Sequence, residues 1–391
     1  MYMGLIGAAC LLTAALLAQE PRTWLTSDNS YHPDPQHVAN RTHRTLFIPW
    51  SWKELVEGPR HREALAQLDS FLSAESPRRD LEPVRALMLQ RDLWALHDLI
   101  ATVKPLSDPA EAARAELRVR LARAVAALAL TEEQIVRLPD NYALSVASKK
   151  YPARYKSSPA PFLPSDLFDK DSPWVRLNGD PPLASGHTLA VLGRSQFQVF
   201  LNIPGGREAT LALVKDLNGN HRSFPVRAKL PEGTAVALAR SVVAIDTAGK
   251  MRLSPIVEGL QIRVLGVTGP GQQDVNAFKL DRLALFEGRS GGLIALKTDE
   301  EETPLPGSGQ PDPANLYGTE NKGRGSALVN CLGCHHNAEP EHIKSFGRLA
   351  SLNAGNEPLK LTTPDRGLEI LSRWKQEHET WKLLEPYLKK K

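Results

Sequence analysis

An α+β chain of several domains is the fold class this sequence predicts, with a helical bundle in front, a mainly β, sandwich-like middle and a small α-helical end. Three observations predict it. Leucine-rich stripes recur at helical spacing before residue 150, apolar and polar residues alternate in pairs between about 195 and 285, and two proline-rich stretches separate these regions. A chain of 391 residues has room for two or three domains, each with a core.

The chain begins with an uncharged apolar run, GLIGAACLLTAALLA, over residues 4–18. Its length suits the core of a signal peptide better than a membrane span. Residues 1–19 are therefore expected to be a leader and the protein to be periplasmic or otherwise exported. Membrane contact is expected only through that leader, if it is uncleaved or lipidated. Met1-Tyr2-Met3 lacks the usual basic residues, and Gly7 stands where a lipoprotein signal ahead of Cys10 usually has leucine.

After a polar, aromatic-bearing extended segment (20–57), residues 58–151 read as a helical domain. Leu65, Leu68 and Leu72 share one face, and Val84, Leu87 and Met88 share another after a start signal at Asp80. A third helix is expected to be capped by Asp108, with Pro109 in the first turn, Glu111 completing a capping box and Leu117, Leu121, Val125 and Leu128 as its stripe. A fourth opens at Thr131, with Gln134 at the reciprocal position. The Arg and Glu residues are assigned to solvated faces.

Seven prolines between Pro152 and Pro182 mark a linker or crossing strap, set at 152–171. The mainly β domain follows at 172–297. Phe197, Val199, Leu201 and Ile203 alternate with Gln198, Phe200 and Asn202, and Leu260, Ile262 and Val264 alternate with Gln261 and Arg263. Val242–Ile245, Asp246–Lys250 and Met251 onward read as a hairpin, Phe278 to Phe286 as another strand, and Arg207 to Leu217 as a short helix. A second linker spans 298–323. The last part, 324–391, ends in an amphipathic helix from Pro364 to Leu388, in which Leu368, Leu371, Trp374, Leu383 and Leu384 supply the apolar side.

The chemistry concentrates at Cys331-Leu332-Gly333-Cys334-His335. Thiols three apart sit near each other on a helical turn, where both can add across the vinyl groups of one porphyrin while the following imidazole reaches the iron. C-x-x-C-H is accordingly the attachment spacing of one covalent c-type haem, with Cys331 and Cys334 binding the haem and His335 as proximal ligand. With three cysteines and eleven histidines in the chain, a chance match is expected on the order of once in a thousand such sequences. Three rival readings exist. A zinc half-site lacks a second close Cys/His pair, a redox dithiol lacks the preceding strand, and the third rival is an unmodified pair.

With the small-residue run Gly325–Asn330 before it, this segment resembles the first helix of small c-type cytochromes over about residues 318–391. The resemblance implies single-electron transfer and a terminal helix packed across the first. It departs from the family in the distal methionine, which raises the potential where present. The four methionines are Met1, Met3, Met88 and Met251, so none follows the motif. His342 is the candidate distal ligand, since seven residues from His335 can span about 23 Å. His378 is a weaker candidate because it is expected mid-helix.

Other patterns carry less. His32, His37 and His43 near Asp34 match no metal-site spacing. Gly205-Gly206 lacks the longer glycine fingerprint of a nucleotide site, and Asn40-Arg41-Thr42 fits a glycosylation acceptor. No hydrolase motif is evident. A net charge of +4 gives little reason to expect nucleic acid. The partner expected is a redox protein of unstated identity. Two rivals to electron transfer are a haem enzyme or gas/redox sensor with an open sixth position, and a non-haem binding protein whose Cys/His cluster holds a structural metal.

Overall fold

The structure, a computed structural model, describes residues 31–47, 52–75, 80–103, 107–156, 160–178, 187–188, 191–219, 230–267, 273–296 and 360–388. Helices α1 (Val38–Phe47), α2 (Trp52–Val56), α3 (His61–Ser73), α4 (Pro83–Thr102), α5 (Asp108–Ala127), α6 (Glu132–Val136) and α7 (Asn141–Ala147) come first. Strands β1 (Val175–Asn178) and β2 (Ser195–Asn202) lead to helix α8 (Gly206–Gly219), close to the expected short helix. Strands β3 (Ala235–Ile245), β4 (Met251–Leu265) and β5 (Gln273–Leu280), helix α9 (Arg282–Phe286) and strand β6 (Leu293–Ala295) follow. Beyond residue 359 come β7 (Lys360–Leu361) and helices α10 (Pro364–Glu377) and α11 (Glu379–Leu384).

Helix stripes follow the periodicity. Leu117, Leu121, Val125 and Leu128 are all buried, as are Val84, Leu87, Met88 and Leu68, with Leu65 and Leu72 packed at the margin. The Thr131 box forms: Thr131 Oγ1 accepts from Gln134 N at 3.2 Å, and Gln134 Oε1 accepts from Thr131 N at 2.9 Å.

Two helix starts differ from expectation. Ser107, in an extended conformation, caps α5 by accepting from Ala110 N, which puts Asp108 inside the first turn beside the positive end of the helix dipole. Helix α4 begins at Pro83 after Glu82, not at Asp80, because proline's fixed φ suits the first helical position.

The strands form one antiparallel sheet in the order β6-β5-β4-β3-β2-β1-β7. The chain is thus α+β as expected. The sandwich expectation fails, because all described strands pair edge to edge in a single sheet whose two faces are covered by other elements. Alternation on β2, β3 and β4 buries both faces. Phe200, Ala237, Ala239, Leu260, Ile262 and Phe278 face the proline-rich strap through Phe162, Leu163, Leu167 and Trp174. On the other face, Val199, Leu201 and Val236 meet Val214 of α8. The strap therefore serves as a cover.

The β3–β4 hairpin turns at Asp246, whose Oδ1 accepts from Ala248 N and Lys250 N, as the sequence predicts. Its tip enters the helical layer, so Val242, Val243, Ile245 and Met251 share one cluster with Leu87, Trp94, Leu121 and Trp381. Gln90 on α4 ties the two layers by donating to Ile245 O at 2.9 Å and accepting from Ile245 N at 3.0 Å. The strand expected from Phe278 to Phe286 stops at Leu280. Asp281 caps α9 through Ala284 N, an N-terminal signal that ends the pairing. The single helix expected from Pro364 breaks at His378, which leaves helical geometry at ψ 141° and caps α11.

Candidate functional site

Cys331, Cys334, His335 and His342 lie outside the described residues. The structure does place the ends of the stretch that carries them. Residue 296 follows β6 and residue 360 opens β7, and these are opposite edges of the sheet. Six strand spacings of about 4.8 Å separate edges in such a sheet, roughly 29 Å. The described residues on either side of 297–359 thus lie at opposite edges, and those from 360 onward belong to the body.

This last part of the chain is fastened by buried charge. Helix α10 carries Lys375, which is fully buried and donates from Nζ to Asp98 Oδ2 of α4 at 2.9 Å and to Thr380 Oγ1 of α11 at 2.9 Å. Arg194, just before β2, donates to the same Asp98 oxygen at 2.8 Å. Burial pushes the Asp98 carboxyl up, but Lys375, then His97 and Arg194, outweigh it and hold it far below the usual carboxylate range. Burial brings the Lys375 ammonium down to about 8 against the pull of Asp98. Trp381 closes the joint by packing on Trp94, with ring centroids 5.9 Å apart.

A second buried network lies at the bulge where Glu258 is inserted opposite Arg240 and Ser241. Glu258 Oε2 accepts from Arg91 Nη2 of α4 at 3.1 Å, Arg240 Nε at 3.0 Å and Ser195 Oγ at 2.8 Å. Burial raises its carboxyl, and Arg91 and Arg240 bring it down to about 2. Next to it, Arg282 clasps Asp92 with both Nη groups, at 2.6 and 2.9 Å, and the Tyr31 hydroxyl donates to the same carboxylate. The assignment of Arg and Glu side chains to solvated helix faces is overturned for Arg91, as is the solvated reading for the helix as a whole. Helix α4 is buried nearly all round, so its polar residues have no face left on which to meet water. The sequence signal was present as Arg91, Asp92, His97 and Asp98 interrupting an otherwise apolar helix.

The remaining candidates are structural where described. His32 and His37 stack at 4.0 Å, and their Nδ1 atoms accept from the backbone N–H groups of Asp34 and Ala39. His43 is buried between Tyr31 and Phe47, and burial pushes its imidazole down to about 4. Among the described residues, no three His, Cys, Asp or Glu residues cluster to hold a metal. Asn40, of the glycosylation pattern, is buried and fully engaged, accepting from Tyr31 N and donating to His32 O and Asp34 O. Gly205 and Gly206, both with positive φ, form the turn into α8, where Thr210 Oγ1 accepts from Ile203 N.

Met88 and Met251 are buried in the body core. His378 Nδ1 accepts from Thr380 N at 3.2 Å, which places the ring proton on Nε2. No described helix is long and apolar enough to cross a membrane. Comparison with protein-family models, curated proteins and solved structures gives no match to this chain.

Proposed function

We propose that this chain is an exported, periplasmic c-type haem protein that passes single electrons through one covalently attached haem. Cys331 and Cys334 form the thioethers, and His335 is the proximal ligand. The observation that carries the proposal is the C-x-x-C-H motif in a chain whose sole other cysteine is Cys10. The haem supplies the redox-active iron, and the cytochrome-like part is read as the stretch from about 324 to 359, because β7, α10 and α11 beyond it share the sheet and core of the body.

The sixth position is assigned to His342 or to no protein ligand. Two observations favour that choice over the other candidates. Met251 is packed in the core, and His378 uses Nδ1 as a helix cap with its proton on Nε2, so neither presents a lone pair outward. An open sixth position would favour the enzyme or sensor reading, and the non-haem reading requires a metal in the Cys/His cluster instead.

The test is covalent haem on the protein made with haem-maturation machinery. A haem-stained band after denaturing electrophoresis is expected for the wild type and not for Cys331→Ser/Cys334→Ser. A colourless wild type containing zinc would overturn the proposal in favour of a structural metal site. Ready binding of carbon monoxide by the reduced protein would turn it toward open-site chemistry. His342→Ala should create such binding if His342 is the distal ligand.

A further inference from the structure

We infer that the α8-side face of the sheet carries a binding site for a small planar monoanion, of formate or hydrogencarbonate size, between Arg240 and His187. The sheet register creates the room. Phe197, Arg240, Gly259 and Lys279 form one cross-strand row, and Val199, Leu238, Gln261 and Ala277 form the next. Gly259 has no side chain in the row where Arg240 stands, and a glycine inside a strand marks a place where something else comes close. The result is a cavity of about 30 Å³ lined by Phe197, Leu238, Arg240, Gly259, Leu260 and Gln261, with His187 beside Phe197 at its edge. A water needs about 10–15 Å³ of such space, so this one has room for about two to three water-sized groups, the scale of a very small carboxylate and not of an aromatic or a nucleotide.

Its chemistry favours a negative charge. Arg240 spends its hydrogen bonds through Nε, on Ser195 Oγ at 3.3 Å and Glu258 Oε2 at 3.0 Å, which fixes the guanidinium while leaving both Nη groups for another acceptor. A planar guanidinium held in this way suits a carboxylate-like fork. Arg263 stands two residues beyond Gln261 on the same face of β4 and adds positive potential at His187. The acidic neighbour, Glu258, is already answered by Arg91 as well as Arg240. His187 is neutral near pH 7, because burial first and Arg240 second push it down to about 4, so it offers one N–H donor without a charge of its own. Phe197 and Leu238 supply an apolar wall beside these donors.

The site stands apart from the haem reading, and its test separates the two. Calorimetric titration of the full chain with formate and with hydrogencarbonate should show saturable binding with one site, and benzoate should show none. Gly259→Ala fills the cavity in place; Gly259 is not among the positive-φ glycines, so the substitution brings no left-handed strain. It should weaken small-anion binding at least about tenfold, the equivalent of 1.4 kcal/mol, with haem stain and thermal midpoint unchanged. If Gly259→Ala lowers the midpoint, His187→Leu serves as the second variant with the same expected loss. Equal affinity in wild type and variant, benzoate binding as tightly as formate, or no saturable binding of either small anion would overturn the site.

Discussion

The two buried charge networks solve one problem with different cations. Around Glu258 and Asp92 every cation is a guanidinium: Arg91, Arg240 and Arg282. Around Asp98 one of the two is the ammonium of Lys375. Both networks leave carboxylates facing more cations than one-to-one pairing requires, so removing an acid is costly in either. They differ in what can titrate. Burial brings even Arg91 down only to about 10, whereas it brings Lys375 down to about 8, so the lysine is the first of these cations to give its proton up. The network that fastens the chain downstream of C-x-x-C-H is therefore the one whose charge responds to alkali.

The largest expected effect breaks that joint. Asp98→Ala leaves Arg194 and Lys375 buried without their acceptor and should cost about 3–5 kcal/mol, read from urea midpoints. Glu258→Ala should cost somewhat less, about 2–4 kcal/mol, because Arg91 retains Asp92 at 3.7 Å. Equal stability of wild type and Asp98→Ala would mean that the joint contributes nothing.

Acid should loosen the body before either network is protonated. His43 is held near 4 in the fold, while an unfolded histidine titrates near 6.5. Between these values the unfolded chain binds the extra proton, so stability falls as pH falls, by about 1–3 kcal/mol for this residue. His43→Phe, which keeps the ring between Tyr31 and Phe47, should flatten the midpoint-versus-pH curve from pH 6.5 to 4. Glu258 and Asp98 have depressed folded values, so their contribution is present above about pH 4 and is lost below it.

The smallest effect sharpens the comparison most. Lys375→Met leaves Asp98 its bond to Arg194 and should change stability by under about 1 kcal/mol at pH 7. The wild type should gain stability as pH rises from about 8 toward 10, because the unfolded lysine still holds a proton that the folded one has released. Tyr31, raised by burial and by Asp92, opposes this above pH 10, since only the unfolded tyrosine ionises there. The methionine variant should lose the rise between 8 and 10. If the rise persists in that variant, Lys375 is not its source.

Much of the local structure was legible in the chain. The stripe of α5, the Thr131 box, the Asp246 hairpin turn and the alternation of β2 and β4 each depend on residues close in sequence, where spacing and geometry are linked directly. The cap of α5 falls one residue before Asp108 because adjacent Ser107 and Asp108 compete for that role, and β5 stops six residues short of Phe286 because Asp281 starts a helix. The candidate haem site is legible as Cys331, Cys334 and His335 and depends on sequence alone.

What the sequence by itself determined is therefore the α+β class, most of the helices and strands, and a C-x-x-C-H motif in a chain poor in cysteine. Tertiary structure decided that the strands make one sheet, that the strap covers a face, and that β6 and β7, before and after the residues that carry the motif, are opposite edges. It also decided that Asp98 meets Lys375 and that Arg240 stands across from Gly259. Those contacts join residues far apart in the chain, and no local periodicity encodes which distant partner a buried charge will find.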